Sequence, residues 1–347
     1  MTGRIIFISE ALSAPFDEGI KNVAFSVHSH LKIKTDVLMV TKAGNNTANL
    51  DILKIGLNKL FLNNKLRKLI KNYSPDVILY FPEASLTFNS FVRAKVLKYM
   101  NRSTKIVILG AIPVEYSSLN RRIIRNYLRP DLLLLLGKFD EDFFLRHGLR
   151  FRILPPAVDN VKFCQATEEE KKRIRSKFNI SINKTVVLHV GHVRTTRNVQ
   201  CLSQIQKIDG IQVVIVGSTS TPTDGYLKDR LMREGVRVID EFIPDIAKMY
   251  KMSDIYVFPV FNKIASIIMP LSVLEAMACN LPIITTRFGA LEDNFKEDVG
   301  FRYFDRPEEL VKLVKGIDRA EIHNNKKIES FTWDKFTNEL IGACEEL

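Results

Sequence analysis

The segment from Ile255 to Glu292 constrains the fold more than any other. Ile255–Pro259 is an apolar run of strand length. After a loop, Leu271, Leu274 and Ala278, with Met277 on the flank, recur at helical spacing over Leu271–Cys279. Leu281–Thr285, entered through Pro282, is a second apolar run. Strand, loop, helix, strand is the building unit of a parallel sheet. One charge interrupts the helix, Glu275 between Leu274 and Ala276. Such a carboxylate either finds backbone donors or solvent, or it faces a ligand, because burying it unpaired is too costly. The loop before it favours a ligand.

The same alternation runs through the chain. Arg4–Ser9, Thr35–Thr41, Asp76–Tyr80, Lys105–Leu109, Leu132–Leu136 and Phe151–Leu154 read as strands. Between them lie predicted helices at Ile20–Leu31, Ile55–Asn72, Leu86–Met100, Ser117–Leu128 and Phe139–His147, with polar punctuation at Gly44–Asn49. Pro155 and Pro156 mark a boundary. After a charged helix over Glu168–Phe178 the pattern restarts with strands Thr185–Val190, Gln212–Val216 and Val236–Ile239, and helices Val199–Ile208, Tyr226–Glu234 and Asp245–Lys251. Two helices near Pro307–Gly316 and Trp333–Leu347 end it. The prediction is an α/β chain of two doubly wound parallel-sheet domains, 1–160 and 161–332, facing across a cleft, with 333–347 packing back on the first.

Charge is unevenly placed. The chain of 347 residues carries a net +12, and residues 1–165 hold 25 Lys and Arg against 13 Asp and Glu, so the whole excess lies there. Much of it sits on Lys59, Lys65, Arg67, Lys68 and Lys71 and on the helix SSLNRRIIRNYL. A solvated basic face is one reading; docking on an anionic membrane surface is the favoured one. Nucleic acid is a weaker partner, because no interleaved aromatics or binding module accompany the charge. Four scattered cysteines form no CxxC pair, which implies a reducing compartment and no metal cage. No apolar segment reaches about 18 residues and the start lacks a signal peptide, so the expected place is cytoplasmic, peripheral on the membrane.

Three turns carry candidate chemistry. HVGHVRTTRN, His189–Asn198, runs from a strand through Gly191 into a basic loop and a helix start. Glycine lets a backbone approach a ligand, and a helix N-terminus suits phosphate. His192, Arg194 and Arg197 add charge, although surface loops before helices are often basic. VVIVGSTS ends a strand at Gly217. Ile267–Ser272 enters the Glu275 helix, and Glu275 is placed to accept bonds from vicinal hydroxyls such as those of a ribose. Asp140 and Asp142 read as an acidic first helical turn and not a metal site.

Together these turns resemble the retaining glycosyltransferases of family four, the glycosyl transferases group 1, which have the GT-B fold of two Rossmann-like domains. Gly191, His192 and Arg197 fall where that family shows glycine, arginine and lysine. Gly217, Asp254 and Ile255–Pro259 match its next strands. Glu275, Ala276, Met277, Ala278, Cys279 and Pro282 match its second glutamate, the Ala-Met-Ala run and the proline, and Gly289 and Glu292 its later glycine and glutamate. Pro155–Asp159–Phe163 resembles its hinge, and Phe331–Phe336 its final helix. The likeness is close over residues 150–347 and architectural before that.

The resemblance implies transfer of a sugar from a UDP or GDP type donor to a lipid-linked or polysaccharide acceptor with retention, without metal or other cofactor. Arg197, His192 and Arg194 would stabilise the leaving diphosphate. Gly191, Gly217, Ile268, Met269, Leu271 and Glu275 would hold the donor, with Gly19 and Glu115 on the acceptor side. The chain departs from the pattern at Ile267, where the family carries its first glutamate, and at Leu109–Gly110, where its histidine would fall. A catalytically inactive GT-B protein binding a nucleotide or a partner is the alternative.

Overall fold

The computed structural model describes residues 3–12, 15–43, 52–83, 86–318 and 321–347; Gly44–Asn49 lies outside the described residues. The chain divides into two compact units. The first comprises Met1–Pro156, Ile267–Met269 and Trp333–Leu347, the second Ala157–Ser266 and Pro270–Thr332.

The first unit holds seven parallel strands: β1 (Ile5–Ala11), β2 (Val37–Ala43), β3 (Ile52–Lys54), β4 (Val77–Phe81), β5 (Lys105–Gly110), β6 (Leu132–Leu135) and β7 (Phe151–Ile153). Their order is β3-β2-β1-β4-β5-β6-β7, so the winding reverses between β1 and β4. β4, Val-Ile-Leu-Tyr-Phe, is buried along its whole length, as expected of a parallel strand covered on both faces. On one face, Ile6, Ile8, Ile78 and Ile106 pack with Leu66 and Ile70, Phe91 and Leu97, and Ile124 from three helices. Each such side chain contributes about 1.5–3 kcal/mol. The closing helix Trp333–Glu345 lies against Gly19–Lys34. There Trp333 stacks 6.2 Å from His30, and Lys34 bonds Asp334 and, at 2.6 Å, Asn338.

The second unit holds six parallel strands: β8 (Thr185–Val190), β9 (Ile211–Val216), β10 (Arg237–Ile239), β11 (Ile255–Phe258), β12 (Ile283–Thr285) and β13 (Phe301–Tyr303), ordered β10-β9-β8-β11-β12-β13. Here the reversal falls between β8 and β11, where Tyr256 registers with Leu188.

The predicted helix over Ile55–Asn72 is shorter, Asn64–Tyr73. Asn63 explains the late start: its side chain accepts from the amides of Lys65 and Leu66, a helix cap in the middle of the apolar stripe. Before it, Asn58 accepts from the amides of Leu60 and Leu62, and Phe61 adopts φ +62°. Leu57 and Phe61 are buried from a turn, not from a helix. The predicted helix at Val199–Ile208 starts where expected, after Asn198 at φ +55°, but its first turn, Val199–Cys201, is 3-10 and only Leu202–Gln206 is α-helical.

Asp254, just before β11, ties the second unit together. Arg175 reaches it at 2.5 Å, Lys171 at 3.1 Å and the Val186 amide at 2.7 Å. Burial pushes its carboxyl up, but the Val186 N–H, Lys171 and Arg175 outweigh that and hold it below the usual carboxylate value. A depressed pKa means stability that is present above the unfolded value and lost as pH falls through the folded one. Asp254→Ala leaves Arg175 buried without its partner, so urea denaturation should show a loss of about 3–5 kcal/mol. The variant should also show less acid destabilisation than the natural protein; equal stability and equal acid response contradict the assignment.

Candidate functional site

In a doubly wound sheet, ligands bind outside the carboxyl ends of the strands at the point where the winding reverses. In the second unit that point is the end of β8 and β11. β8 delivers His189, Gly191 and the basic loop; β11 delivers Tyr256 and leads to the helix Leu271–Ala278.

The β8 turn is close-packed. A Cβ added to Gly191 would lie 3.1 Å from Arg197 Nη1 and 3.2 Å from His189 Nε2, so only glycine leaves both groups in place. Arg197, on the 3-10 turn Thr195–Arg197, is buried with 8% of its surface exposed. His192 is half-buried. Arg194 is exposed and turns away toward Pro222, whose carbonyl accepts from Nε and Nη2 at 3.3 Å. Gly217 ends β9 with its amide bonded to Ile239 O at 2.7 Å, and a Cβ there would press on Val193 at 3.3 Å.

Tyr256 links this turn to Glu275. Its hydroxyl lies 3.5 Å from Val190 O and is bonded to Ser272, in the first turn of the Glu275 helix. Burial raises its pKa; the Ser272 hydrogen bond opposes that, and the Glu275 charge adds to it. Glu275 is half-buried and accepts from the Tyr250 hydroxyl at 2.6 Å. Burial raises its carboxyl pKa; the Tyr250 hydrogen bond and the charge of Lys162 pull it back. The rings of Phe163, Tyr250, Tyr256 and His189 follow one another at centroid distances of 5.6, 5.8 and 6.4 Å. Leu271 is buried at the N-terminus of the helix, where Pro270 is the cap and makes no side-chain capping bond.

The structure thus brings Gly191, Arg197, Leu271 and Glu275 to one strand-end region of the second unit, beside His192. Ile268, Met269, Gly19 and Glu115 fall in the first unit. There the Ile268 amide donates to Ala111 O at 2.8 Å, and Gly19 faces Ile267 at 3.4 Å from its would-be Cβ. Glu115 is exposed and acts on Asp140, which pairs with Arg121 at 3.3 Å and caps the helix Glu141–Arg146 with φ +48°. Among the described residues no group of three His, Cys, Asp or Glu is placed to hold a metal ion.

Sequence reading assigned no role to His189, Tyr250, Tyr256 or Lys162. A histidine inside the all-apolar strand Thr185–Val190 was the one available signal. The others depend on partners distant in the chain.

The two parallel-sheet units define a GT-B protein. Residues 184–317, in the second unit, match the model of the family Glycosyl transferases group 1. It is similar to a D-inositol 3-phosphate glycosyltransferase of Arthrobacter sp., 26% identical over 40% of this chain and 34% of the relative. It is also similar to the sulfoquinovosyl transferase SQD2 of Arabidopsis thaliana, 23% identical over 56% of this chain and 36% of the relative. The chain spans about a third of the length of these curated relatives. The crystal structure of Anabaena Alr3699/HepE in complex with UDP superposes with a TM-score of 0.78 at 14% identity, covering 99% of this chain and 100% of that one, a likeness of fold.

Gly191→Ala should displace the Arg197 guanidinium and, at φ +157°, strain the turn, so a lower melting temperature is expected with it. In the folded variant we expect a weakening of nucleoside diphosphate binding of at least tenfold, about 1.4 kcal/mol. Calorimetry checks it; full affinity in the folded variant contradicts the packing argument.

Proposed function

We propose that the chain is a glycosyltransferase that moves a sugar from a nucleotide diphosphate donor to a lipid-linked or polysaccharide acceptor with retention. The observation that carries this is the Tyr256 hydroxyl at the winding reversal of the second unit, which lies 3.5 Å from Val190 O at the end of β8 and is bonded to Ser272 of the Glu275 helix. The reaction needs a departing diphosphate to be stabilised, which fixed cations and backbone dipoles achieve. Arg197, with His192 beside it and Arg194 at the loop's outer edge, supplies positive charge. The uncapped start of the helix at Leu271 supplies its dipole end. Glu275, oriented by Tyr250, is the acceptor for ribose hydroxyls. These groups supply the charge a UDP or GDP type leaving group requires, so we propose a reaction without a metal cofactor. Gly217 completes the proposed donor contacts of the second unit, and the acceptor is assigned to the first unit, with Gly19 and Glu115.

The basic helices support a membrane-peripheral, cytoplasmic-face setting. Asn64–Tyr73 and Ser118–Tyr127 both pack beside Phe88–Met100, on one face of the first sheet. They expose Lys65, Arg67, Lys68 and Lys71, and Arg122 and Arg125, together with the apolar Leu62, Leu119 and Tyr127. Apolar tips among basic side chains suit an anionic headgroup layer. No helix among the described residues is long and apolar enough to cross a membrane.

Two measurements test the proposal. With EDTA present, Arg197→Ala should lower the transfer or hydrolysis rate of UDP- or GDP-sugars about a hundredfold, near 3 kcal/mol in the barrier, and Glu275→Ala should weaken nucleotide affinity. Activity absent in the natural protein, or unchanged in both variants, contradicts the assignment. Vesicles of phosphatidylglycerol should sediment the protein and phosphatidylcholine vesicles should not. Replacing Arg122 and Arg125 by Glu should weaken sedimentation by at least tenfold, at about 1 kcal/mol per basic residue removed; equal sedimentation on both lipids removes the docking surface.

A further inference from the structure

His189 is fully buried on β8, two residues before Gly191. Its Nδ1 lies 2.9 Å from the carbonyl oxygen of Val257 on β11. A carbonyl only accepts, so Nδ1 carries the proton. In a neutral ring the other nitrogen, Nε2, is then an acceptor lone pair. That lone pair has no hydrogen-bond partner among the described residues. Burial holds the ring's pKa down at about 3, with the nearby Arg197 and His192 charges acting in the same direction. The ring is therefore neutral wherever the protein is folded near neutral pH.

An orphaned buried acceptor is costly and rare, and its direction is informative. Nε2 and Arg197 Nη1 both border the methyl-sized space over Gly191, at 3.2 and 3.1 Å from the would-be Cβ. A guanidinium carries five N–H groups in a rigid fork. Two of them suffice for a phosphate, so a guanidinium can meet a phosphate and a protein acceptor together. A neutral acceptor behind the fork fixes its orientation without withdrawing its charge from the phosphate, which a carboxylate there would do.

We infer that His189 is the positioning residue for Arg197: when a diphosphate is bound, an Arg197 guanidinium N–H donates to His189 Nε2, and Gly191 is bare so that the two meet. This rests on the reading of Arg197 as the diphosphate ligand. It explains why a histidine stands inside a strand whose other buried residues are apolar, and why its ring is anchored to the neighbouring strand.

The test uses the whole protein with whichever of UDP and GDP binds it more tightly. In long-range 1H–15N spectra of protein labelled at histidine nitrogens, with His189→Gln used to assign the signal, His189 should show a protonated Nδ1 and an unprotonated Nε2. The Nε2 signal should shift on saturation with the diphosphate, and should not shift in Arg197→Ala. An Nε2 signal that stays in place with ligand bound overturns the inference, as does a shift that persists in Arg197→Ala, which would mean the ligand contacts the ring itself. Calorimetry supplies the second arm. His189→Phe should weaken binding about tenfold, as expected for loss of one hydrogen bond to a charged group, with His189→Gln restoring part of it. In an Arg197→Ala background, His189→Phe should cost nothing further. Additive losses indicate a merely structural ring and overturn the inference while leaving the site reading intact. Arg197→Ala with full affinity, or no binding of either diphosphate, overturns the site reading as well.

Discussion

The parallel pairing of β8 with β11 is the constraint on which the site depends. Adjacent parallel strands deliver their following segments to the same edge, and at a winding reversal those segments diverge and leave space between them. The register of Tyr256 with Leu188 sets a phenol at that edge. From there its hydroxyl reaches the end of β8 on one side and the helix Leu271–Ala278 on the other. The His189–Val257 hydrogen bond ties the same two strands by a side chain. Asp254 fastens the base of β11 to β8 through the Val186 amide and, through Arg175 and Lys171, to the helix Glu168–Lys177. Rigidity at the base and a close-packed turn at the tip are two ends of one arrangement.

The electrostatics of the site follow from its burial. Arg197 is buried, where water screens it little, so its interaction with an anion is stronger than at an open surface. Glu275 pays for its half-buried place with a raised pKa, and the Tyr250 hydroxyl offsets part of that cost.

Much of this architecture was legible in the sequence. Continuous apolar runs gave the central strands to within a residue or two, because a strand buried on both faces has no other composition. The Glu275 helix was legible because a charge in an apolar helix is improbable without a partner. Of the four three-residue edge strands, Phe151–Ile153 and Arg237–Ile239 were legible and Ile52–Lys54 and Phe301–Tyr303 were not, since three residues carry little periodicity. The helix over 55–72 was overextended because Leu57 and Phe61 satisfy helical spacing by coincidence. Asn63 was the cap that contradicted it. Tyr250 reaches Glu275 across 25 residues and His189 reaches Val257 across 68, and no local pattern encodes such partners.

The central claim is that the second unit holds two phosphates and not one. It is tested most directly by comparing the affinities of uridine and guanosine mono- and diphosphates for the intact protein by titration calorimetry. The account predicts that one diphosphate binds at least tenfold more tightly than its monophosphate, the gain arising from a second phosphate met by a buried guanidinium. Equal affinity for mono- and diphosphates, or binding of neither, contradicts it.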